Sequence, residues 1–369
     1  NCSKGELSVT EHTDELGKRT KKIREQMGGK SRLEKMEREG KPNIRQHIDA
    51  ILDEGTFQEI GTFSRSLREE DRETTPGDGK IGGEGEIDGR PVAIAGDDIT
   101  VKRGSSSIVG SRKTSRLYER ALKMGFPYVY FGETGGGRIP DLIGAEGISD
   151  AMPSPDIARR RRLIPMASVI VGQSFGGSSF HSAFSDFTVQ VRGSVLAVTS
   201  PRVFEIATGE IVSFEALGGV DVHAKTTGQI DLGADSYEDA YKAVKQWLSY
   251  LPSNAWTPAP RGEPMAKSRW EPDHELTDFI PDKRRRGYDM RKFCKLLLDP
   301  DSFFELQPKF AKNLVTGLGR LDGWSVGVIA NNPMFQAGAL NPDSCDKAIR
   351  LMCLCDAFNI PIIWLMDVP

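Results

Sequence analysis

Between residues 11 and 40 apolar positions are sparse: Leu16, Ile23, Met27, Leu33 and Met36 stand among many Lys, Arg and Glu. That pattern predicts an exposed helical segment packed along one edge of the molecule. From Gly79 onward the pattern changes, and short apolar runs punctuated by glycine alternate with longer amphipathic stretches. Residues 92–95 and 128–131 read as strands and 115–124 as a helix, with a glycine loop and a further helix after 131. This alternation predicts an α/β fold. Residues 252–281 collect Pro252, Pro258, Pro260, Pro264, Pro272 and Pro281 among many charges, the composition of an irregular connection. The expected organisation is a charged helical segment at 1–40, a first domain at 41–255, a connection at 256–286 and the start of a second domain at 287–369.

The second part repeats the first. Ile87-Asp88-Gly89 recurs 234 positions later as Leu321-Asp322-Gly323, and at the same offset Val92 falls on Val326, Ile94 on Val328, Asp97-Asp98 on Asn331-Asn332 and Phe126-Pro127 on Ile360-Pro361. Upstream, Leu52-Asp53 with Phe57 and Glu59 recurs 246 positions later as Leu298-Asp299 with Phe303 and Glu305. Two copies of one fold imply a site shared between copies. The sequence opens on Asn1 and stops at Pro369 directly after an apolar run, the aspect of a piece of a longer protein.

Composition narrows the function classes. The 49 basic and 52 acidic side chains leave a net charge of −3, which offers no global field to attract a polyanion and disfavours a nucleic-acid partner. No uninterrupted apolar run approaches the ~20 residues of a bilayer span, so a soluble, cytoplasmic location is expected, or the mitochondrial matrix if the source is eukaryotic. The five cysteines, Cys2, Cys294, Cys345, Cys353 and Cys355, lack paired ligand spacing, and reduced thiols with no bound metal are expected.

Two glycine loops carry the candidate chemistry. Gly135-Gly136-Gly137-Arg138 follows the strand at 128–131 and precedes a helical stretch, so main-chain N–H groups converge there as a cradle for an anion or oxyanion. Gly172-Gln173-Ser174-Phe175-Gly176-Gly177 follows the apolar run 164–171, and its paired glycines suit a second set of oxyanion donors. The basic run Arg159, Arg160, Arg161 and Arg162 suits either a nucleotide's phosphates or a solvated face. His181 has no partner fixed by sequence, and a local hydrogen bond is the expected role rather than a general base. Hydrolase, zincin and P-loop patterns do not occur.

The strings ITVKRGSSS (99–107), FGETGGGRIPD (131–141), VGQSFGGSSFHSAFSDFTV (171–189), FEALGG (214–219), GYDMRK (287–292) and the stretch 326–369 resemble the carboxyltransferase β subunits of biotin-dependent acyl-CoA carboxylases. The resemblance runs from about residue 20 to the end, and is strongest to the propionyl-CoA carboxylase and methylmalonyl-CoA carboxyltransferase branch. It implies a crotonase-like fold (the ClpP/crotonase superfamily) in two homologous domains, the second truncated here. Acyl-CoA would lie on the first domain, and the biotin of a separate carrier on the second. It further implies a site at a dimer interface, usually within a hexamer, and a biotin carboxylase or biotin carrier subunit as partner. Carried onto this sequence, Gly176 and Gly177 would hold the thioester oxygen, while Gly135, Gly136, Gly137, Arg138, Gly104 and Ser105 would line the acyl-CoA site. Phe175 and Ser178 flank the glycine pair where the family usually has alanine, so the acyl group is left open, with bulk at Phe175 and Phe180 favouring short chains.

The implied reaction moves a carboxyl group from carboxybiotin to the α-carbon of an acyl-CoA such as propionyl- or acetyl-CoA. A thioester α-proton is weakly acidic, so the protein must stabilise an enolate oxygen, and main-chain donors do this without reorganising as charge develops. Biotin needs a second oxyanion hole. At the 234-residue offset Gly135 falls on Pro369, and Gly176 and Gly177 fall past it, so that hole is expected outside this sequence. Three alternatives remain: a biotin-dependent decarboxylase subunit, a crotonase-like hydratase or isomerase needing a placed carboxylate or His, and a non-catalytic CoA-binding scaffold.

Overall fold

The charged N-terminal segment forms two helices, Val9–Gln26 and Lys30–Arg38, rather than one. The break has a steric cause: Met27 and Gly29 take positive φ (44° and 116°), and Gly28 lies so close to the Thr100 carbonyl that no Cβ fits there. Met27 and Met36 are buried and pin the segment to the domain, while its charges face outward. The computed structural model describes residues 9–151, 157, 159, 161–264, 274–280 and 287–369.

The strands are β1 (Gln58–Glu59), β2 (Lys80–Ile87), β3 (Arg90–Asp97), β4 (Tyr128–Thr134), β5 (Met166–Phe175), β6 (Phe187–Val191), β7 (Val195–Ala197), β8 (Leu232–Ala234), β9 (Phe304–Leu306), β10 (Leu314–Leu321), β11 (Trp324–Asn331) and β12 (Ile362–Leu365). Among the described residues β1 to β8 form one sheet in the order β1-β2-β3-β4-β5-β6-β8, with β7 paired to β5, and the others form a second in the order β12-β11-β10-β9. The β2–β3 hairpin is antiparallel, and β3, β4, β5, β6 and β8 run parallel. Near-continuous burial of β4 and β5 matches their β-branched and aromatic runs, as expected of parallel strands covered on both faces. The helix read over 115–124 is longer, Ile108–Met124, because Ser107 caps it seven residues earlier and Gly125 at φ 71° ends it.

The repeat is structural. In the first copy Ile87 pairs with Arg90 and Ala93 with Tyr128; in the second Leu321 pairs with Trp324 and Gly327 with Ile362, each 234 residues on. Asp53 accepts the N–H groups of Asp88 and Gly89 at 3.1 and 2.7 Å, and Asp299 accepts those of Asp322 and Gly323 at 3.0 and 2.8 Å. Both turns need positive φ at two consecutive residues, which Asp-Gly supplies cheaply. Arg45 pairs with Glu59 as Arg291 does with Glu305. A lysine tied to main-chain carbonyls also recurs: Lys113, half-buried, donates to the Gly61 and Lys80 carbonyls, and the buried Lys347 donates to those of Gln307, Phe310 and Leu314.

The copies share one core. Ile48, Val129, Phe187 and Trp247 of the first belong to the same buried cluster as Phe304, Leu318, Ile329 and Phe358 of the second. Phe187 stacks on Trp247 at 5.2 Å, and Phe304 lies 5.9 Å from Phe187. At the edge of this core Arg350 makes a two-pronged ion pair with Asp231 (2.9 and 2.7 Å). Cys294 and Cys355 are buried free thiols.

Candidate functional site

The carboxyl ends of β4 and β5 each run into a glycine loop. After Thr134 the chain passes through Gly135, Gly136 at φ 111° and Gly137 into a single short turn, Ile139–Asp141, and the next α-helix starts only at Ala145. The first loop is therefore not at a helix N-terminus, contrary to the expectation. The second loop does lead directly into a helix, Gly177–Phe184, with Gly176 at φ 60° and ψ −122° as its cap. A β-carbon on Gly176 would stand 3.8 Å from the Gly136 Cα, so the two loops face each other.

The main-chain donors sort themselves by partner. Gly135 N–H donates to Arg103 O at 2.9 Å, Gly136 N–H to Thr134 Oγ1 at 3.1 Å and Arg138 N–H to Ser106 O at 2.7 Å. Gly176 N–H donates to Val198 O at 3.1 Å. Gly137 and Gly177 N–H have no acceptor among the described residues, so each loop contributes one available donor. Gly176, expected with Gly177 to supply the pair of donors, thus has its own N–H engaged by Val198 O.

Arg138, expected to face the substrate, is turned inward. Its guanidinium pairs with Asp78 at 2.5 Å and lies 3.7 Å from Asp141, with 5% of the side chain exposed. Through Nε it also donates to Ser105 Oγ at 3.3 Å, so its charge is engaged within the loop. Gly104 is likewise a spacer: at φ 63° a β-carbon would stand 2.6 Å from Glu133 O, and its own carbonyl accepts from Thr134 Oγ1 and Lys80 Nζ. Beneath the loops Lys80 pairs with Asp97, which also accepts from Tyr130 OH (2.8 Å) and Glu133 N–H (3.1 Å). This buried network fixes the end of β4, and with it Gly137. His181 stacks on Tyr130 at 4.5 Å, and its Nδ1 has no partner among the described residues, so the expected local hydrogen bond is not made there. Burial pushes its pKa down to about 4, which keeps the ring neutral.

Two cavities adjoin the loops. One, of about 690 Å³, is lined by Ser105, Gly135, Gly137, Phe175, Pro201 and Phe214 among others. Phe175 forms part of this wall, 6.3 Å from Phe214. The other, of about 670 Å³, is lined by Lys41, Glu133, Gly172, Arg192 and Tyr237 among others. Arg103 and Gln173 belong to both walls, joined by a 3.3 Å hydrogen bond. Burial, reinforced by Asp97, raises the Glu133 carboxyl to about 7. The sequence marked Glu133 only as a member of a motif, because a carboxylate between an apolar strand and a glycine turn gives no sign of its burial. Of the basic run, Arg162 pairs with Asp186 at 2.9 Å and Arg159 and Arg161 are also engaged, while Arg160 lies outside the described residues.

Residues 35–369 match the carboxyl transferase domain family. The chain is 37% identical over 350 residues to the propionyl-CoA carboxylase carboxyltransferase subunit of Haloferax mediterranei, covering 93% of this chain and 67% of that protein. It is 34% identical over 345 residues to the methylmalonyl-CoA carboxyltransferase 12S subunit of Propionibacterium freudenreichii subsp. shermanii, covering 93% and 65%. The chain thus spans about two thirds of the length of these curated relatives. Its fold superposes on the transcarboxylase 12S crystal structure, described as a hexamer with hydrolysed methylmalonyl-CoA bound, with a TM-score of 0.92, 32% identity, and coverage of 99% of this chain and 72% of that one. It also superposes on a single-chain, multi-domain long-chain acyl-CoA carboxylase with a TM-score of 0.83 and 26% identity, covering 99% and 37%. Two glycine loops at the ends of neighbouring parallel strands, a repeated hairpin-and-helix fold and these likenesses agree: the chain belongs to the carboxyl transferase family, with the crotonase-like fold of the acyl-CoA carboxylases.

Proposed function

We propose that this chain is the acyl-CoA-binding part of a biotin-dependent acyl-CoA carboxyltransferase. The observation that carries the reading is the pair of available donors, Gly137 N–H and Gly177 N–H, on loops brought face to face. A thioester carbonyl oxygen held between them gains its strongest hydrogen bonds as the α-proton leaves and enolate charge collects on that oxygen. Gly176 and Gly136 keep the approach open, while the Lys80–Asp97–Tyr130 network holds the strand end that aims Gly137. Phe175 and Phe214 make an apolar wall suited to a short acyl group.

Carboxybiotin, when bound, supplies the carboxyl group. The division into a first, acyl-CoA-binding domain and a second, biotin-facing one belongs to the same proposal, as do a biotin carboxylase or carrier partner, a hexamer and a cytoplasmic location. Among the described residues no helix is long and apolar enough to cross a membrane.

The full-length protein, supplied with a biotin carboxylase, a biotinylated carrier, bicarbonate and ATP, is expected to carboxylate propionyl- or acetyl-CoA. Gly177→Val, which brings a branched side chain to the donor, is expected to lower that rate by ~10²–10³ with the fold intact. A folded Gly177→Val protein with normal turnover would remove this loop from the chemistry.

A further inference from the structure

Lys102, Arg103 and Gly104 take three consecutive left-handed conformations, with φ of 48°, 59° and 63°. The second copy has the same turn at Gln336, Ala337 and Gly338, with φ of 50°, 52° and 75°. Ala337 shows that the turn does not require an arginine at its centre. Arg103 therefore needs another explanation, and its surroundings supply one.

Lys80 is paired with Asp97, Lys102 with Asp71 at 2.8 Å and Arg138 with Asp78. Arg103 stands against the same loops, yet no carboxylate lies within ion-pair range of it among the described residues. Its one side-chain partner is the neutral Gln173 amide. A β-carbon on Gly135 would lie 3.3 Å from its Nε, and its carbonyl anchors the Gly135 N–H, so the side chain borders the loop that carries Gly137. It also lines both cavities beside that loop.

Resting on the carboxyltransferase reading, we propose that Arg103 is a specificity-determining residue that receives the carboxylate of a carboxylated acyl-CoA. In a malonyl-type thioester the carboxyl carbon is only two bonds from the thioester carbonyl carbon. A ligand whose carbonyl oxygen sits between Gly137 and Gly177 therefore carries its carboxylate in the immediate neighbourhood of these loops. A planar guanidinium without an acid partner is suited to accept it through two parallel hydrogen bonds. Gln173 keeps the side chain at the boundary of the two cavities without neutralising it.

The test is equilibrium binding of malonyl-CoA and propionyl-CoA, without biotin, to the full-length protein and to Arg103→Ala and Arg103→Lys. Ala337 at the same point of the second copy indicates that alanine is tolerated in this turn. Arg103→Ala is expected to weaken malonyl-CoA by about 10- to 100-fold, the scale of a lost charge-assisted hydrogen bond, and to leave propionyl-CoA within about twofold. Arg103→Lys, which keeps the charge and loses the fork, is expected to fall between. Equal weakening of both thioesters would assign Arg103 to the phosphates they share and overturn the proposal, as would unchanged binding of both. If the unaltered protein binds neither thioester, the carboxyltransferase reading itself fails, and this inference fails with it.

Discussion

Glu133 is a carboxyl group that ionises less readily in the folded protein than in the unfolded chain, with a pKa near 7 against an ordinary 4.5, because burial and Asp97 oppose its charge. A raised carboxyl pKa means that the unfolded chain releases the proton first. The folded state is therefore undisturbed below about pH 4.5 and loses relative stability as pH rises through 7. Glu133→Gln removes that loss. Urea unfolding should show the variant more stable than the parent at pH 8, by on the order of 3 kcal/mol, with little difference at pH 4. An equal difference at both pH values would contradict the assignment. Much of this scale was hidden from the sequence. That Gly135 and Gly176 spend their N–H groups on Arg103 O and Val198 O, while Gly137 and Gly177 do not, depends on carbonyls the chain brings back from elsewhere. Arg138 looked like a ligand-facing cation because its partner, Asp78, lies 60 positions away.

Elements were more legible than residues, because the repeat fixes register. The Asp-Gly turns, the strand positions and the pairing of Phe126-Pro127 with Ile360-Pro361 follow from the pattern of side chains alone, and the hairpins answer one another residue for residue. The recurrent lysines leave no mark in the sequence, since an isolated Lys on a helix ordinarily reads as a solvated face. Burial pushes Lys113 to about 8 and Lys347 to about 7, and both amines tie a helix to main-chain carbonyls of the preceding segment. Lys347→Met strips the donor from three buried carbonyls and is expected to lower stability by on the order of 3 kcal/mol, read as a shift of the denaturation midpoint. Lys113→Met should behave in the same direction. Asp299→Ala leaves two turn N–H groups without their carboxylate and is expected to cost about 1–2 kcal/mol, as is Asp53→Ala. Indifference to the Asp changes would show that the turns hold themselves.

At the scale of the molecule the two copies are not separate bodies, since Phe187, Trp247 and Phe304 lie in one core and Arg350 grips Asp231 across the copies. Unfolding of residues 1–369 is therefore expected to be a single transition, with Trp fluorescence and far-UV circular dichroism changing together. Two resolved transitions would mean that each copy holds a core of its own. The same packing fixes the first copy's loops against a rigid frame, which the account of the site requires, because an oxyanion donor acts only when it is held in place before charge develops. Polarisation of the thioester carbonyl reads that requirement most directly. Propionyl-CoA labelled with ¹³C at the carbonyl, bound to the full-length protein, should show a C=O stretch moved to lower frequency than in water, and Gly177→Val should return it toward the solution value. A bound thioester with an unshifted stretch, or a shift that survives Gly177→Val, would contradict the claim that Gly137 and Gly177 hold the enolate oxygen.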